Sequence, residues 1–176
     1  SLIYNIREAF GKGLAVEHPV EADIVVPVPD SGIPGAVGFA AHSGIPFGEG
    51  LTKSRYIHRT FIVPDETSRA LQVRMKLSPM VERLSGKRVV LVDDSIVRGT
   101  TTGEIVRIVR AAGAKEVHVR ITSPSVKHPC FYGVDMSTRD QLIAARLDIP
   151  GIARHIGADS LGFLSLEGAL QAAGSS

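Results

Sequence analysis

The chain has 176 residues, 44% of them hydrophobic and 22% charged, with a formal net charge of +2. That is enough apolar material for one domain with a sizeable core, and too little net positive charge for general affinity toward nucleic acid. No apolar run approaches membrane-spanning length, and the opening Ser1-Leu2-Ile3-Tyr4-Asn5 lacks the basic-then-apolar order of a secretory signal, so the chain reads as soluble and cytoplasmic.

Residues near Ile6 to Val16 have helical periodicity, and Ile24-Val25-Val26-Pro27-Val28 reads as a buried strand with a proline marking its end. Asp30-Ser31-Gly32 follows as a turn, and Pro34, Val37, Ala40 and Ala41 suit a helix after it. A short strand is expected around Phe47 to Leu51. Lys53 to Ile62 resists a periodic assignment and reads as a solvated hairpin or as a flap of the kind that shields reactive intermediates. From Lys53 to Lys76 six basic residues (Lys53, Arg55, Arg59, Arg69, Arg74, Lys76) face two acidic ones, a local patch suited to a small polyanion rather than a long duplex.

Glu66 to Leu77 resembles a short helix. Val89-Val90-Leu91-Val92-Asp93 is a strand apolar enough to be covered on both faces, and after Gly99 the positions Ile105, Ile108, Val109 and Ala112 fall on one helical stripe that Gly113 can end. Val117, Val119 and Ile121 alternate as a strand, which predicts a parallel right-handed crossover. Further helices are expected near Arg139 to Ala145, Pro150 to Ile156 and Leu166 to Ala172, with a strand over Ser160 to Leu164. Strands alternating with helices predict an open parallel sheet, whose ligands gather beyond the carboxyl ends of the strands.

Two candidate ligand loops lie at such ends. In Asp93-Asp94-Ser95-Ile96-Val97-Arg98-Gly99-Thr100-Thr101 small hydroxylated residues open a helix, where free N–H groups and the helix dipole stabilise a phosphate. The preceding carboxylates accept hydrogen bonds, as vicinal sugar hydroxyls require. A single Asp there would be explained by helix capping; two repelling carboxylates are better explained by a diol or a cation between them. A ligand with phosphates at both extremities and a ribose between them would satisfy both loops, the acid pair and the basic segment together.

Val92-Asp93-Asp94-Ser95-Ile96-Val97-Arg98-Gly99-Thr100-Thr101 resembles the phosphoribosyl diphosphate (PRPP) signature of type I phosphoribosyltransferases. Together with Val28-Pro29-Asp30-Ser31-Gly32, Arg55-Tyr56, Arg59-Thr60-Phe61-Ile62, Val73-Arg74-Met75-Lys76-Leu77, Pro129-Cys130-Phe131-Tyr132-Gly133 and Ile156-Gly157-Ala158-Asp159-Ser160-Leu161, it is similar to the glutamine PRPP amidotransferase family over nearly the whole chain. The resemblance implies an α/β fold of the type I phosphoribosyltransferase kind: an open, mostly parallel sheet flanked by helices, with a flexible loop over the site. It implies formation of 5-phosphoribosylamine from PRPP and ammonia, the first step of purine synthesis, by a single domain over residues 1–176 of a longer protein.

By the same resemblance Asp93 and Asp94 hold the ribose hydroxyls and, with Ser31, a Mg²⁺ ion. Ser95, Ile96, Val97, Arg98, Gly99, Thr100 and Thr101 bind the 5-phosphate, and Asp30, Ser31 and Gly32 face the diphosphate. Lys53, Arg55, Tyr56 and Arg59 match the flexible loop and carry the catalytic role, with Ser54 in place of a usual Asn and His58 of a usual Gly. Cys130 matches a ligand of the [4Fe–4S] cluster of some members, which the full-length context alone could complete, since four thiolates are needed and the sequence has one cysteine. Purine nucleotides as feedback inhibitors, a homo-oligomer and a partner glutaminase domain also follow, without nucleic acid or membrane. The family's glutaminase uses a first-residue cysteine; here Ser1 opens the sequence and no cysteine precedes Cys130, so these residues should not hydrolyse glutamine.

The chemistry is compatible with the residues. Ammonia needs no strong base, and neither a Ser-His-Asp nor a Cys-His constellation is evident. A salvage transferase acting on a nucleobase would need aromatic stacking, and aromatics are 5% of the chain; a PRPP-sensing regulator would need a nucleic-acid element, and no helix-turn-helix signal is present.

Overall fold

The structure is a computed structural model describing residues 1–54, 66–125, 143 and 147–174. Its order is α1 (Leu2–Glu17), β1 (Ile24–Pro27), α2 (Ile33–Ser43), β2 (Leu51–Lys53), α3 (Glu66–Lys76), β3 (Leu77–Pro79), α4 (Val81–Leu84), β4 (Arg88–Asp93), α5 (Thr100–Ala111), β5 (Glu116–Ile121), α6 (Ile149–Ile156), β6 (Ser160–Phe163) and α7 (Leu166–Gly174).

Strands β1, β4, β5 and β6 form one sheet in the order β1-β4-β5-β6, every pair parallel. Successive strand side chains point to opposite faces, and in this sheet both faces are covered. Val25, Val90 and Val92 pack with Leu14 of α1 and with Ala36 and Phe39 of α2. Val26, Val89, Leu91, Val117, Val119 and Ile121 pack with Ile105, Val106 and Val109 of α5 and with Ile152 and Ile156 of α6. The continuous apolar runs of β1 and β4 follow from this double cover.

Strand β5 shows what alternation alone did not reveal. Its polar positions His118 and Arg120 are also buried. Arg120 donates to the carbonyl of His18 at 3.0 Å and to Ser160 Oγ at 2.9 Å, while the His118 ring meets Ser160 Oγ and Glu116. Burial pulls the Arg120 guanidinium down to about 10, which still leaves it charged at neutral pH, held by neutral acceptors.

Three expectations are corrected. The second strand lies at Leu51–Lys53 rather than Phe47 to Leu51, because its partner is β3 in an antiparallel pair; Phe47 makes only an isolated parallel bridge to Val25. The helix expected to reach Leu77 ends at Lys76, where Leu77 turns into β3. The first helix begins at Leu2, with Ser1 Oγ accepting from the Tyr4 amide. The expected helix near Arg139 to Ala145 falls almost wholly outside the described residues. No helix among them is long and apolar enough to cross a membrane.

Leu91 is 1% exposed at the centre of the sheet. Leu91→Ala is expected to cost about 2–5 kcal/mol, read as a lower urea midpoint at unchanged slope.

Candidate functional site

Strands β1 and β4 pair with Pro27 opposite Val92, so both end at the same level. Past that level the Val28 amide donates to the Val92 carbonyl at 2.9 Å and the Thr122 amide to the Asp93 carbonyl at 3.0 Å, which ties three strand ends together. The two strand-to-helix turns, residues 28–32 and 94–99, therefore open into one mouth. Between them lies a cavity of about 770 Å³.

The first turn contains a cis Pro29–Asp30 peptide and closes with the Gly32 amide donating to the Val28 carbonyl at 2.9 Å. A Cβ on Gly32 would stand 2.3 Å from the Val92 carbonyl oxygen, so glycine is required for the turn to approach β4 this closely. The approach brings Ser31 to Asp93, its hydroxyl donating to Asp93 Oδ1 at 3.2 Å.

The second turn leads into α5 at Gly99, whose φ of 86° is left-handed backbone that favours glycine. A Cβ there would also meet Ile143 Cδ1 at 2.6 Å. No side chain caps this helix, so the geometry of its first turn leaves amides directed outward. Ser95, Val97, Arg98, Gly99 and Thr101 line the cavity. Ile96 does not: it is 4% exposed and packs in the core, so only its backbone is available to a ligand. Thr100 and Gly32 are likewise absent from the lining.

Asp93 and Asp94 both line the cavity. Asp93 Oδ1 accepts from the Asp94 amide at 2.8 Å, and Asp94 Oδ1 accepts from Ser95 Oγ at 3.3 Å. Burial pushes the Asp93 carboxyl up from its ordinary 3.8 to about 7, the Asp94 charge adding to the effect against the lowering pull of the amide and of Ser31. Lys53 also lines the cavity, its ammonium 2.8 Å from Asp30 Oδ2; both partners are more than half exposed, so the pair is weak and readily exchanged. Asp30 itself stays outside the lining.

Arg55, Tyr56, Arg59 and Cys130 lie outside the described residues. Sequence reasoning placed Lys76 in the basic patch suited to a small polyanion but gave no site role to Gln72, Val73 and Leu77 beside it on one wall, nor to Thr102 and Ile105 on α5. The third threonine of the run after Gly99 was the available signal for Thr102; the wall formed by α3 had only its basic composition.

Two carboxylates and a hydroxyl form the all-oxygen set that a hard divalent cation accepts. Among the described residues no three His, Cys, Asp or Glu groups gather, so such a cation would draw most of its ligands from substrate and water. One cysteine does not fit an iron–sulfur cluster held by this chain alone.

The phosphoribosyl transferase domain family matches residues 3–123. The chain belongs to this family. Its type I phosphoribosyltransferase fold is shared with the glutamine PRPP amidotransferase from B. subtilis complexed with ADP and GMP, at TM-score 0.87 and 53% identity over 98% of this chain and 38% of that one. The chain is also similar to curated amidophosphoribosyltransferases: 57% identical to that of Methanocaldococcus jannaschii over 98% of this chain and 36% of the relative, and 58% identical to that of Synechocystis over 98% and 35%. It thus spans little more than a third of the length of these relatives.

Because the raised Asp93 value lies above that of the unfolded chain, the folded protein binds the extra proton, and this group's contribution to stability falls as pH rises from about 4 to about 7. Without added cation or sugar phosphate, Asp93→Asn is expected to raise the melting temperature at pH 8 and leave it unchanged at pH 4, as scanning calorimetry at both values will show. Gly99→Ala forces a left-handed alanine, costing about 1–2 kcal/mol; weaker ribose 5-phosphate binding by calorimetry is the expected result.

Proposed function

We propose that this chain binds PRPP and transfers its phosphoribosyl group to ammonia, giving 5-phosphoribosylamine and diphosphate, the first step of purine synthesis. The observation that carries the reading is the shared mouth in which Asp93 and Asp94 stand between the Ser31 turn and the Gly99 cradle. The names of its amidophosphoribosyltransferase relatives support it.

In this reading the amides and hydroxyls of Ser95 to Thr101 clasp the 5-phosphate at the α5 N-terminus, with Ile96 contributing backbone only. Asp93 and Asp94 accept from the ribose hydroxyls, which fixes the sugar ring beneath the Ser31 turn. The lone pair of ammonia forms the C1–N bond as the C1–O bond breaks, its electron pair leaving with diphosphate, and the resulting ammonium passes a proton to water. Charge grows on the departing diphosphate, so Lys53, released from Asp30, together with Arg55, Tyr56 and Arg59, stabilises that end and excludes water. Asp93, Asp94 and Ser31 would hold Mg²⁺, which when bound neutralises diphosphate charge.

The finer parts of the reading come with it. They are one phosphoribosyltransferase domain over residues 1–176, a glutaminase domain of the longer protein supplying ammonia, purine nucleotides as feedback ligands, a homo-oligomer and a cytoplasmic location. The ADP and GMP named for the B. subtilis structure support the nucleotide part. The length of the relatives supports the domain assignment.

Asp93→Asn with Asp94→Asn should lower ammonia-dependent phosphoribosylamine formation by at least about a hundredfold, on the scale of losing preorganised electrostatic contacts. A far-ultraviolet circular dichroism spectrum like the parent's would confirm an intact fold. Unchanged turnover in the folded double variant refutes the assignment.

A further inference from the structure

One buried charge has no role in the preceding reading. Glu104 of α5 is 1% exposed and takes no part in lining the cavity. Its carboxylate accepts from Nε of Arg74 on α3 and, at 3.0 Å, from Nε of Arg107 on its own helix. Burial opposes its ionisation, yet the two guanidinium hydrogen bonds outweigh burial and hold the carboxyl below the usual range. Both arginine side chains are more than half exposed, so they meet the carboxylate without being buried themselves.

The two arginines differ in what they join. Arg107 stands three residues along the same helix face, so it neutralises Glu104 but connects it to no other element. Arg74 reaches over from α3. Its bond ties together the two helices whose seam forms part of the cavity wall, lined by Gln72 and Val73 from α3 and by Thr101, Thr102 and Ile105 from α5.

Helix α3 has few other anchors. From Leu71 to Leu77 only Val73 and Leu77 are buried, whereas Leu71 and Met75 are 56% and 52% exposed. Apolar contact is non-directional, so two such anchors set the depth of the helix without fixing its register along α5. A charge-assisted hydrogen bond is directional and supplies that register. The seat of α3 is then passed to the site through the backbone: Leu77 continues from α3 into β3 and pairs with Lys53 of β2, and the Lys76 carbonyl accepts from the Ser54 amide at 2.6 Å. Lys53 is the cavity cation that the PRPP reading sets against the departing diphosphate.

Stability gives no reason for this carboxylate, since burial costs it hydration that its partners only about offset, and an apolar side chain would serve the core as well. We propose that Glu104 is a positioning residue for phosphoribosyl transfer: through Arg74 it fixes α3 against α5, and so holds the α3 wall and Lys53 in register with the Gly99 cradle. This rests on the PRPP reading of the site.

The test is ammonia-dependent phosphoribosylamine formation by the full-length protein with PRPP and magnesium, beside calorimetric titration with ribose 5-phosphate, at a temperature where circular dichroism shows parent and variants equally folded. Glu104→Gln and Arg74→Gln should each lower kcat about tenfold, within the cost of a small misplacement remote from the chemistry. Ribose 5-phosphate, which needs only the cradle and the acid pair, should bind both variants as it binds the parent. The double variant should lose no more than the worse single one, because both changes break one contact. Arg74→Lys, which keeps the charge, should recover part of the loss, and Arg107→Gln should lower kcat by less than about twofold, the scale of a pair within one helix. Unchanged kcat in folded Arg74→Gln overturns the proposal. So does an equal loss in Arg107→Gln, which would make neutralisation of Glu104 rather than the tie to α3 the operative effect, and so does parallel weakening of ribose 5-phosphate, which would mean a general collapse of the site. A parent that neither binds ribose 5-phosphate nor forms phosphoribosylamine sinks the PRPP reading and this inference with it, an outcome distinct from an active parent matched by its Arg74→Gln variant.

Discussion

The parallel pairing of β1 with β4 is the constraint on which the site depends. With Pro27 opposite Val92, the chain leaves both strands at one level, and the Val28 amide immediately bonds the Val92 carbonyl. Two turns far apart in sequence are thereby held side by side, each feeding a helix on the opposite face of the sheet, α2 on one and α5 on the other. A ligand between them can meet a helix N-terminus, a hydroxyl from the facing turn and a carboxylate pair without any large rearrangement. Apolar packing on both faces of the sheet keeps that geometry in place.

The electrostatics follow from the same arrangement. A carboxylate at a sheet end beside a second carboxylate loses hydration and gains repulsion, and Asp93 answers both with a raised affinity for a proton. One amide and one hydroxyl offset only part of that cost. A cation, or hydroxyls donating to the pair, would relieve the remainder. Lys53 is in the complementary position: its surface pair with Asp30 is weak, and an incoming anion competes for it at small cost.

Helix α3 shows how a buried carboxylate, held by two exposed arginines, can serve a site it does not touch. Glu104 takes no place in the cavity lining, but its bonds to Arg74 and Arg107 join α5 to the wall that bears Gln72 and Lys76. Such a cluster contributes little net stability compared with well-packed apolar groups. Its value here is in fixing the relative orientation of two walls.

The local units were legible in the residues themselves: the apolar runs ending in Asp30-Ser31-Gly32 and Asp93-Asp94-Ser95, the helical stripe after Gly99, and the basic character of the stretch from Lys53 to Lys76. Periodicity and turn chemistry report on neighbours a few positions away, and those features depend on nothing more distant. The short pair β2–β3 was not legible, because three-residue strands carry too few positions for a period and their partners lie 26 residues apart, as Thr52 and Ser78 do. Nor could the residues announce that Ser31 would reach Asp93 across 62 positions, that Ile96 would turn into the core, or that Lys76 rather than Arg74 would face the cavity. Those outcomes were decided by tertiary structure alone, because desolvation and through-space charge depend on which groups packing brings together, and a linear order of side chains does not contain that information.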